Sequence, residues 1–303
     1  MSYGRMEEKI GELEAQVKEL LAAAEAVDQA EDAEHGSKRG DELPDELRFR
    51  QQRLEKIRQA KKALEAEAKA AEQRRREEKA AKAKAKGGSE ESAGGDEPAP
   101  AQAVKPEDKA QRNFTDPDSR IMRDGATKSF EQSYNCQAVV ESETQVILAE
   151  QVTQQANDKQ QVKPLIEQLK VNLDSRVPQE LSADAGYFSE DNVNYIEGQK
   201  IEPYVAPGRP KRGAAPAPPV EALAAGATIR ERMAAKLQTP MGKRTYSKRK
   251  ETVEPVFGQI KEARGIRRFL FRGLGSVQAE WSLICTTHNL LKLFRSGWTP
   301  QVA

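Results

Sequence analysis

Residues 134–152 read YNCQAVVESETQVILAEQV, and this stretch decides the fold of the chain. Two runs rich in β-branched and apolar residues, Tyr134–Val140 and Gln145–Val152, lie on either side of the polar connection 141–144. Two such runs joined by a short polar segment are typical of an antiparallel hairpin. The stretch therefore predicts two neighbouring strands of one sheet.

The segments that follow alternate between helix and strand. Lys159–Val171 carries apolar residues at helical spacing, and Glu180–Ala183 has the composition of a strand that ends at Asp184. A second short helix is predicted at Ser189–Glu197 and another strand at Ile201–Val205. The order hairpin, helix, strand, helix, strand predicts an α/β fold with a mixed sheet.

Two more helices are predicted beyond a Pro-rich break at residues 207–220. Glu254 is expected to open a helix over Val253–Arg264, because the proline that follows it, Pro255, suits the first helical position. Ser276 is the predicted N-cap of a long helix that closes the core.

The first third of the chain has a different pattern. In residues 10–27 and again in 47–71, apolar residues recur at alternating steps of three and four, as in the seam of a coiled coil. The polar stretch 35–44 between them can reverse the chain. Residues 1–82 are therefore predicted to form an antiparallel coiled-coil arm with helices of about 45 Å.

The composition separates this arm from the rest of the chain. Fourteen of the sixteen aromatic residues lie in residues 113–303, and the Ala/Lys, Gly/Ser and Pro-rich segment before them cannot bury enough apolar surface to fold. The predicted organisation is an arm at 1–82, a disordered linker at 83–112, the first part of the α/β domain at 113–206, the Pro-rich break at 207–220 and a helical part at 221–303.

The composition also excludes several classes of protein. Two cysteines and two histidines are too few for a disulfide framework or a zinc cluster. No stretch approaches the roughly 18 apolar residues of a membrane span, and the first thirty residues are charged throughout, unlike a signal peptide. We therefore expect a soluble, cytoplasmic chain without a membrane partner.

Two features could carry chemistry. Asp184 follows a predicted strand at its carboxyl end, where α/β sheets place ligands. Between Lys243 and Arg272 there are ten Lys and Arg against three Glu, an excess of +7 in a chain whose net charge is +1. Such a region indicates a polyanionic partner, although a solvated helix face is the simpler interpretation. Within it, Glu254 lies between basic residues, which suits a hard metal ion that also binds a phosphate.

These residues together carry a resemblance to a known family. The DAGY sequence at 184–187 and the block 246–261, YSKRKETVEPVFGQIK, resemble the DDE transposases of bacterial insertion sequences. Further similarity lies at 115–120, 134–140 and 287–292. The resemblance implies an RNase H-like domain that cleaves DNA at transposon ends and joins it to target DNA.

The resemblance also implies roles for individual residues. Asp184 corresponds to the second catalytic Asp of the family and Glu254 to its Glu, both as ligands of two Mg²⁺ or Mn²⁺ ions. A homo-oligomer that binds transposon ends and target DNA is expected. The residues expected to bind DNA, from the signature and the basic region around it, are Tyr246, Arg249, Lys250, Lys261, Arg264, Arg267 and Arg268.

The first catalytic Asp of the family ends a strand that precedes the arm, so it is expected upstream of Met1. Asp116, Asp118 and Asp124 follow the arm and are predicted to be loop residues. The sheet is therefore expected to be an incomplete RNase H-like sheet, and the chain alone to be inactive. Two alternatives remain open: a DNA-binding fragment that acts as a regulator or is a relic, and a coiled-coil interaction protein.

Overall fold

The computed structural model describes residues 1–35, 45–85, 105–123, 128–208, 218–224 and 226–297, and divides the chain into two compact units, Met1–Pro117 and Asp118–Ala303. The helices are α1 (Tyr3–His35), α2 (Asp45–Ala85), α3 (Val162–Asn172), α4 (Glu190–Gly198), α5 (Ile229–Lys236), α6 (Pro240–Gly258) and α7 (Leu274–Arg295). The strands are β1 (Arg120–Arg123), β2 (Phe130–Ser133), β3 (Asn135–Val140), β4 (Ile147–Thr153), β5 (Glu180–Ala183) and β6 (Glu202–Val205).

In the first unit, α1 packs antiparallel to α2. Apolar residues from both helices, among them Met6, Leu13, Leu54, Ile57 and Leu64, form one buried cluster. Three side-chain contacts show the antiparallel direction, because the residue number falls along α1 as it rises along α2. They join Glu14 to Arg58 at 2.6 Å, Glu7 to Lys61 at 3.0 Å and Tyr3 to Glu65 at 2.8 Å. The two predicted helices and their direction are therefore present. Of the predicted turn at 35–44, His35 is the last residue of α1, and residues 36–44 lie outside the described residues.

The end of the predicted linker, residues 105–112, is structured. The Tyr3 backbone N–H donates to the Ala110 carbonyl at 2.8 Å, and the amino terminus of Met1 donates to the Arg112 carbonyl at 3.0 Å. The first N–H groups of a helix have no partner within the helix, and this segment supplies acceptors for them. Residues 83–85 of the predicted linker belong to α2, and residues 86–104 lie outside the described residues.

In the second unit, the predicted hairpin and the alternation after it are confirmed. β3 and β4 pair antiparallel, with Asn135 opposite Thr153, and α3, β5, α4 and β6 follow in the predicted order. β5 and β6 pair parallel, with Glu180 opposite Glu202. α4 begins after Ser189, whose hydroxyl accepts from the Asn192 N–H at 3.1 Å.

The strands form three separate pairs in the described residues rather than the single mixed sheet that we expected. β3 pairs with β4, β5 with β6, and β1 pairs with β2, which the sequence analysis did not predict. An α/β composition is confirmed, while a continuous sheet is not, because β3 and β5 are not hydrogen-bonded to each other.

The two larger of the three hydrophobic clusters among the described residues of this unit join its helices to its strands. One joins the β3–β4 hairpin to the end of α6 and to α7, where the ring of Phe257 stacks on that of Trp281 with centroids 5.8 Å apart. The other joins α3, α4, β6 and α5. Its buried members are Val162, Ile166, Phe188, Val193, Ile196, Ile201, Val205 and Met233.

The prediction that Glu254 opens a helix is wrong. α6 begins at Pro240, with the Thr239 hydroxyl accepting from the Gly242 N–H at 3.0 Å, so Pro255 lies inside the helix. Pro255 has no N–H to donate to the carbonyl four residues earlier. That carbonyl, of Glu251, instead accepts from the Gln145 side chain at 2.9 Å.

The long carboxyl-terminal helix is confirmed, but its start differs from the prediction. α7 begins at Leu274 rather than after Ser276. Asp118, predicted as a loop residue, accepts from the Leu274 N–H at 2.9 Å, and Gly273 takes a positive φ of 83° just before it. A carboxylate at the amino end of a helix stabilises its partial positive charge. No helix in the described residues is long and apolar enough to span a membrane.

Candidate active site and nucleic-acid interface

Asp184 lies directly after β5, as predicted. It caps a 3₁₀ turn, Ala185–Tyr187, and its Oδ1 accepts from the Gly186 N–H at 2.9 Å. The short strand and the tight turn together fix the carboxylate at the carboxyl end of β5.

A second carboxylate, that of Asp158, lies beside Asp184. A Cβ placed on Gly186 would be 2.7 Å from Asp158 Oδ2 and 3.0 Å from Asp184 Oδ1, so both carboxylates approach this glycine. Asp158 Oδ1 accepts from the side-chain amides of Asn135 at 2.7 Å and Gln137 at 2.8 Å. The two amides orient the Asp158 carboxylate.

Sequence reasoning missed Asp158. The available signal was its position: it follows the carboxyl end of β4 and precedes α3, just as Asp184 follows β5 and precedes α4. Acidic residues that follow two strands can meet only if those strands end at the same edge, and the sequence alone did not establish this.

Tyr187 completes this polar cluster. Its hydroxyl donates to Gln137 Oε1, and Gln137 is almost completely buried. Burial, and then the neighbouring carboxylates of Asp158 and Asp184, raise the pKa of Tyr187 well above its ordinary value. The phenol therefore stays protonated at physiological pH and acts as a hydrogen-bond donor.

These residues close one end of a cavity of about 560 Å³. The cavity follows residues 135–142 on one side and 178–184 on the other. The apolar face of α3 and one face of α6 form the remaining walls. The carboxylates therefore lie where a polar cluster meets an apolar interior.

Basic residues reach the cavity from α6. Lys248 and Arg249 both line it, and the Arg249 guanidinium lies 5.3 Å from the centroid of the Tyr246 ring. Arg249 was predicted to bind DNA, whereas Lys248 was not singled out. They lie toward the opposite end of the cavity from the two carboxylates, because Thr245 contacts Glu180 at the start of β5 and the Glu251 carbonyl accepts from Gln145 beyond the end of β3. Lysine and arginine side chains suit the phosphates of bound DNA.

Glu254 does not join this cluster in the described structure. Its neighbours Thr252 and Val253 line the cavity, but Glu254 does not, and it is exposed. At about 100° per residue, Glu254 lies roughly 200° around the helix from Thr252. The structure therefore places the two predicted metal ligands, Asp184 and Glu254, in different surroundings.

The remaining predicted DNA-binding residues fall into two groups. Lys250, Lys261 and Arg268 are exposed, as is Arg267, which pairs with Glu262. Arg264 instead packs inward. Its guanidinium donates to the Ile284 carbonyl at 3.1 Å and to the Thr287 hydroxyl at 2.5 Å, and so ties the π-helical turn after α6 to α7.

His288 and the two cysteines, Cys136 and Cys285, lie in the core of this unit. His288 is fully buried, its Nε2 lies 3.0 Å from the Gln145 carbonyl, and burial lowers its pKa. Cys285 is buried, and burial raises the pKa of the half-buried Cys136 to about 12. Neither thiol is suited to nucleophilic chemistry.

The Mg²⁺ that the resemblance implies can be tested against these donors. In the parts of the chain that the structure describes, no three His, Cys, Asp or Glu residues come together in a group that could hold a metal ion. Mg²⁺ is, however, commonly held by one or two carboxylates together with water and substrate phosphates. The Asp158 and Asp184 pair fits one such ion.

The comparisons with known proteins agree with the resemblance to DDE transposases. A family model described as a transposase DDE domain matches residues 221–294, which include α5, α6 and most of α7. No curated protein and no solved structure matches the chain. The family match supports a DDE transposase family, for which DNA is the substrate and transposition the process.

Proposed function

We propose that this chain acts in DNA transposition as part of the catalytic domain of a DDE transposase of the insertion-sequence type. One observation carries the proposal: Asp158 and Asp184 lie together at the end of a cavity that Lys248 and Arg249 also line. The transposase match at residues 221–294 includes both basic residues and Glu254.

Residues at the two ends of the cavity would bind different parts of the DNA. Asp184, with Asp158 beside it, would hold the divalent ion, and Asn135 and Gln137 keep the Asp158 carboxylate oriented toward it. When bound, the ion stabilises negative charge on the phosphate oxygens. Lys248 and Arg249 bind the DNA backbone.

We propose further that the chain alone binds DNA without cleaving it. The resemblance implies three carboxylates and two ions, and Glu254 faces away from the cavity that Asp184 lines. Phosphoryl transfer depends on correctly placed charge, and the loss of one stabilising group typically costs about 10²- to 10³-fold in rate. A regulator that occupies transposon ends would need only the binding residues.

DNA binding is the first test. Affinity for a duplex, measured at increasing salt, should fall on a log–log plot with a slope set by the number of phosphate contacts. Replacing Lys248 and Arg249 together with Gln should reduce that slope by about 1.8, since each contact contributes about 0.9. The control is Arg232→Gln, which changes an exposed arginine of α5 outside the cavity. Binding that is independent of salt, or equal loss in the control, would refute the proposed role.

Cleavage is tested separately, with a supercoiled plasmid and Mg²⁺ or Mn²⁺. We expect no nicking above background. Nicking that Asp184→Asn abolishes would establish a complete nuclease and overturn the proposed inactivity, while leaving the assignment to transposition intact. Nicking that Asp184→Asn leaves unchanged would remove Asp184 from the active site.

A third possible function is that the arm, residues 1–82, holds copies of the chain together in an oligomer. Its helices pack on each other through a buried apolar cluster, and their outer faces remain charged. Deleting residues 1–82 should lower the oligomeric mass measured by light scattering if the arm holds copies together. An unchanged number of subunits would exclude this role.

A further inference from the structure

The two carboxylates that approach Gly186 belong to different loops. Asp158 lies in residues 154–161, between β4 and α3, and Asp184 lies in residues 184–189, between β5 and α4; we call these the Asp158 loop and the Asp184 loop. In the described residues, the β3–β4 pair is not hydrogen-bonded to the β5–β6 pair. Strand pairing therefore does not fix the separation of the two loops, which depends on side-chain packing and side-chain hydrogen bonds.

Asn192, on α4, joins the two loops. Its side-chain amide nitrogen donates to the Lys159 carbonyl at 2.7 Å and to the Tyr187 carbonyl at 2.7 Å. An amide nitrogen carries two hydrogens, so both bonds can form at the same time. Lys159 directly follows Asp158, and Tyr187 ends the turn that Asp184 caps. One side chain thus bonds the backbone beside each carboxylate.

The start of α4 fixes the position of Asn192 itself. Its backbone N–H donates to the hydroxyl of Ser189 at 3.1 Å, and this N-cap bond anchors the first turn of the helix. The next residue, Val193, is buried in the cluster that also contains Val162 of α3. The Asn192 side chain therefore bridges the two carbonyls from an anchored backbone.

Tyr187 makes a second link between the two loops. Its hydroxyl donates to Gln137 Oε1, and the Gln137 amide nitrogen donates to Asp158 Oδ1 at 2.8 Å. The backbone of Gln137 is held in turn, because its carbonyl accepts from the Trp281 indole N–H at 3.1 Å. The loop that carries Asp184 is therefore tied to the Asp158 carboxylate through a buried glutamine.

We propose that Asn192 is a positioning residue that, together with Tyr187, sets the separation of the Asp158 and Asp184 carboxylates. Asn192 acts through the backbone beside each carboxylate. Partners that orient metal-binding groups typically contribute about 10- to 100-fold to metal affinity. This proposal rests on the ion site under the proposed function, to which it adds the residue that holds the two carboxylates in register.

The first experiment tests the link between the loops without any metal. In full-length protein in EDTA, we expect Asn192→Ala to speed amide hydrogen exchange at least about fivefold in both loops, as for one lost hydrogen bond. The matched control is Asn194→Ala, which changes an exposed residue of the same helix and should leave both loops unchanged. Wild-type exchange in Asn192→Ala, or faster exchange in only one loop, would overturn the link whether or not the chain binds an ion.

The second experiment measures Mn²⁺ binding by electron paramagnetic resonance and its displacement by Mg²⁺ or Ca²⁺. We expect Asn192→Ala to weaken Mn²⁺ and Mg²⁺ about tenfold. Ca²⁺ should weaken less than about threefold, because Ca²⁺ accepts flexible ligand geometry whereas Mg²⁺ requires a nearly ideal octahedron. Tyr187→Phe should act in the same direction. Its control is Tyr195→Phe, because the Tyr195 hydroxyl donates to Glu167 instead.

Two results of the second experiment would count against different statements. Equal loss of Mg²⁺ and Ca²⁺ affinity in Asn192→Ala, or no loss, would overturn the positioning role while leaving the ion site in place. Wild-type Mn²⁺ binding that Asp184→Asn does not weaken would refute the proposed ion site, and the positioning role with it.

Discussion

Replacing Gly186 with Ala tests the carboxylate pair directly. The added Cβ would lie 2.7 Å from Asp158 Oδ2, closer than a Cβ approaches an unbonded atom, and 3.0 Å from Asp184 Oδ1, which is a tight contact. The φ of Gly186 is not in the left-handed region, so Ala introduces no backbone strain there. The predicted cost therefore comes from the two carboxylates alone.

The magnitude follows from what holds Asp158. Its carboxylate can move away from the new Cβ only by weakening hydrogen bonds from Asn135 and Gln137, each worth about 1.5–3 kcal/mol for a charged acceptor. Overpacking a fixed site typically costs about 1–3 kcal/mol. We expect Gly186→Ala to lower the free energy of unfolding by about 2 kcal/mol, and the melting temperature by about 4–8 °C.

Urea denaturation followed by tryptophan fluorescence measures this cost, since both tryptophans of the chain lie in the second unit. Gly198→Ala in α4 is the matched control, because no atom lies within 4 Å of its added Cβ. In an Asp158→Ala background the cost of Gly186→Ala should fall below about 1 kcal/mol. Wild-type stability in Gly186→Ala, or an equal cost in both backgrounds, would refute the deduced geometry.

Three further predictions concern other parts of the second unit. In α6, Gly242→Ala should lower the free energy of unfolding by more than about 3 kcal/mol, because its Cβ would lie 2.1 Å from a backbone oxygen. The control is Gly258→Ala, whose Cβ has open space around it and which should be neutral or stabilising in the same urea titration. His288 has a pKa below its ordinary 6.5, so its neutral ring favours folding above pH 6.5, and this contribution is lost as the pH falls through the lowered pKa. In urea titrations from pH 7 to pH 5, the free energy of unfolding of wild type should therefore decline relative to that of His288→Gln. Arg264→Gln should lower the melting temperature, while Arg268→Gln, an exposed change, should lower only the salt slope of DNA binding.

The fold was predictable where the sequence pattern is local. The hairpin at 134–152 and the strand that ends before Asp184 have alternating or continuous apolar runs with clear boundaries, and both are present. β1 and β2 escaped prediction because they are short, with mixed polar and apolar residues and no buried face. The first half of α6 escaped because its many charged residues carry little apolar periodicity.

The site was predictable only in part, since it depends on which strand ends meet. Asp184 was identified from its position after a strand. Asp158 could not be, because only the pairing of β3 with β4 brings the end of β4 next to Asn135 and Gln137. The inward role of Arg264 likewise requires the packing of α7, which no local pattern describes.

The position of Glu254 depends on how α6 is rotated about its axis, and several contacts fix that rotation. Thr252 and Val256 are buried, and the Glu251 carbonyl left free by Pro255 is bonded to Gln145 at 2.9 Å. A rotamer change cannot turn a residue through half a helical circumference, so bringing Glu254 to Asp184 requires α6 to move as a body.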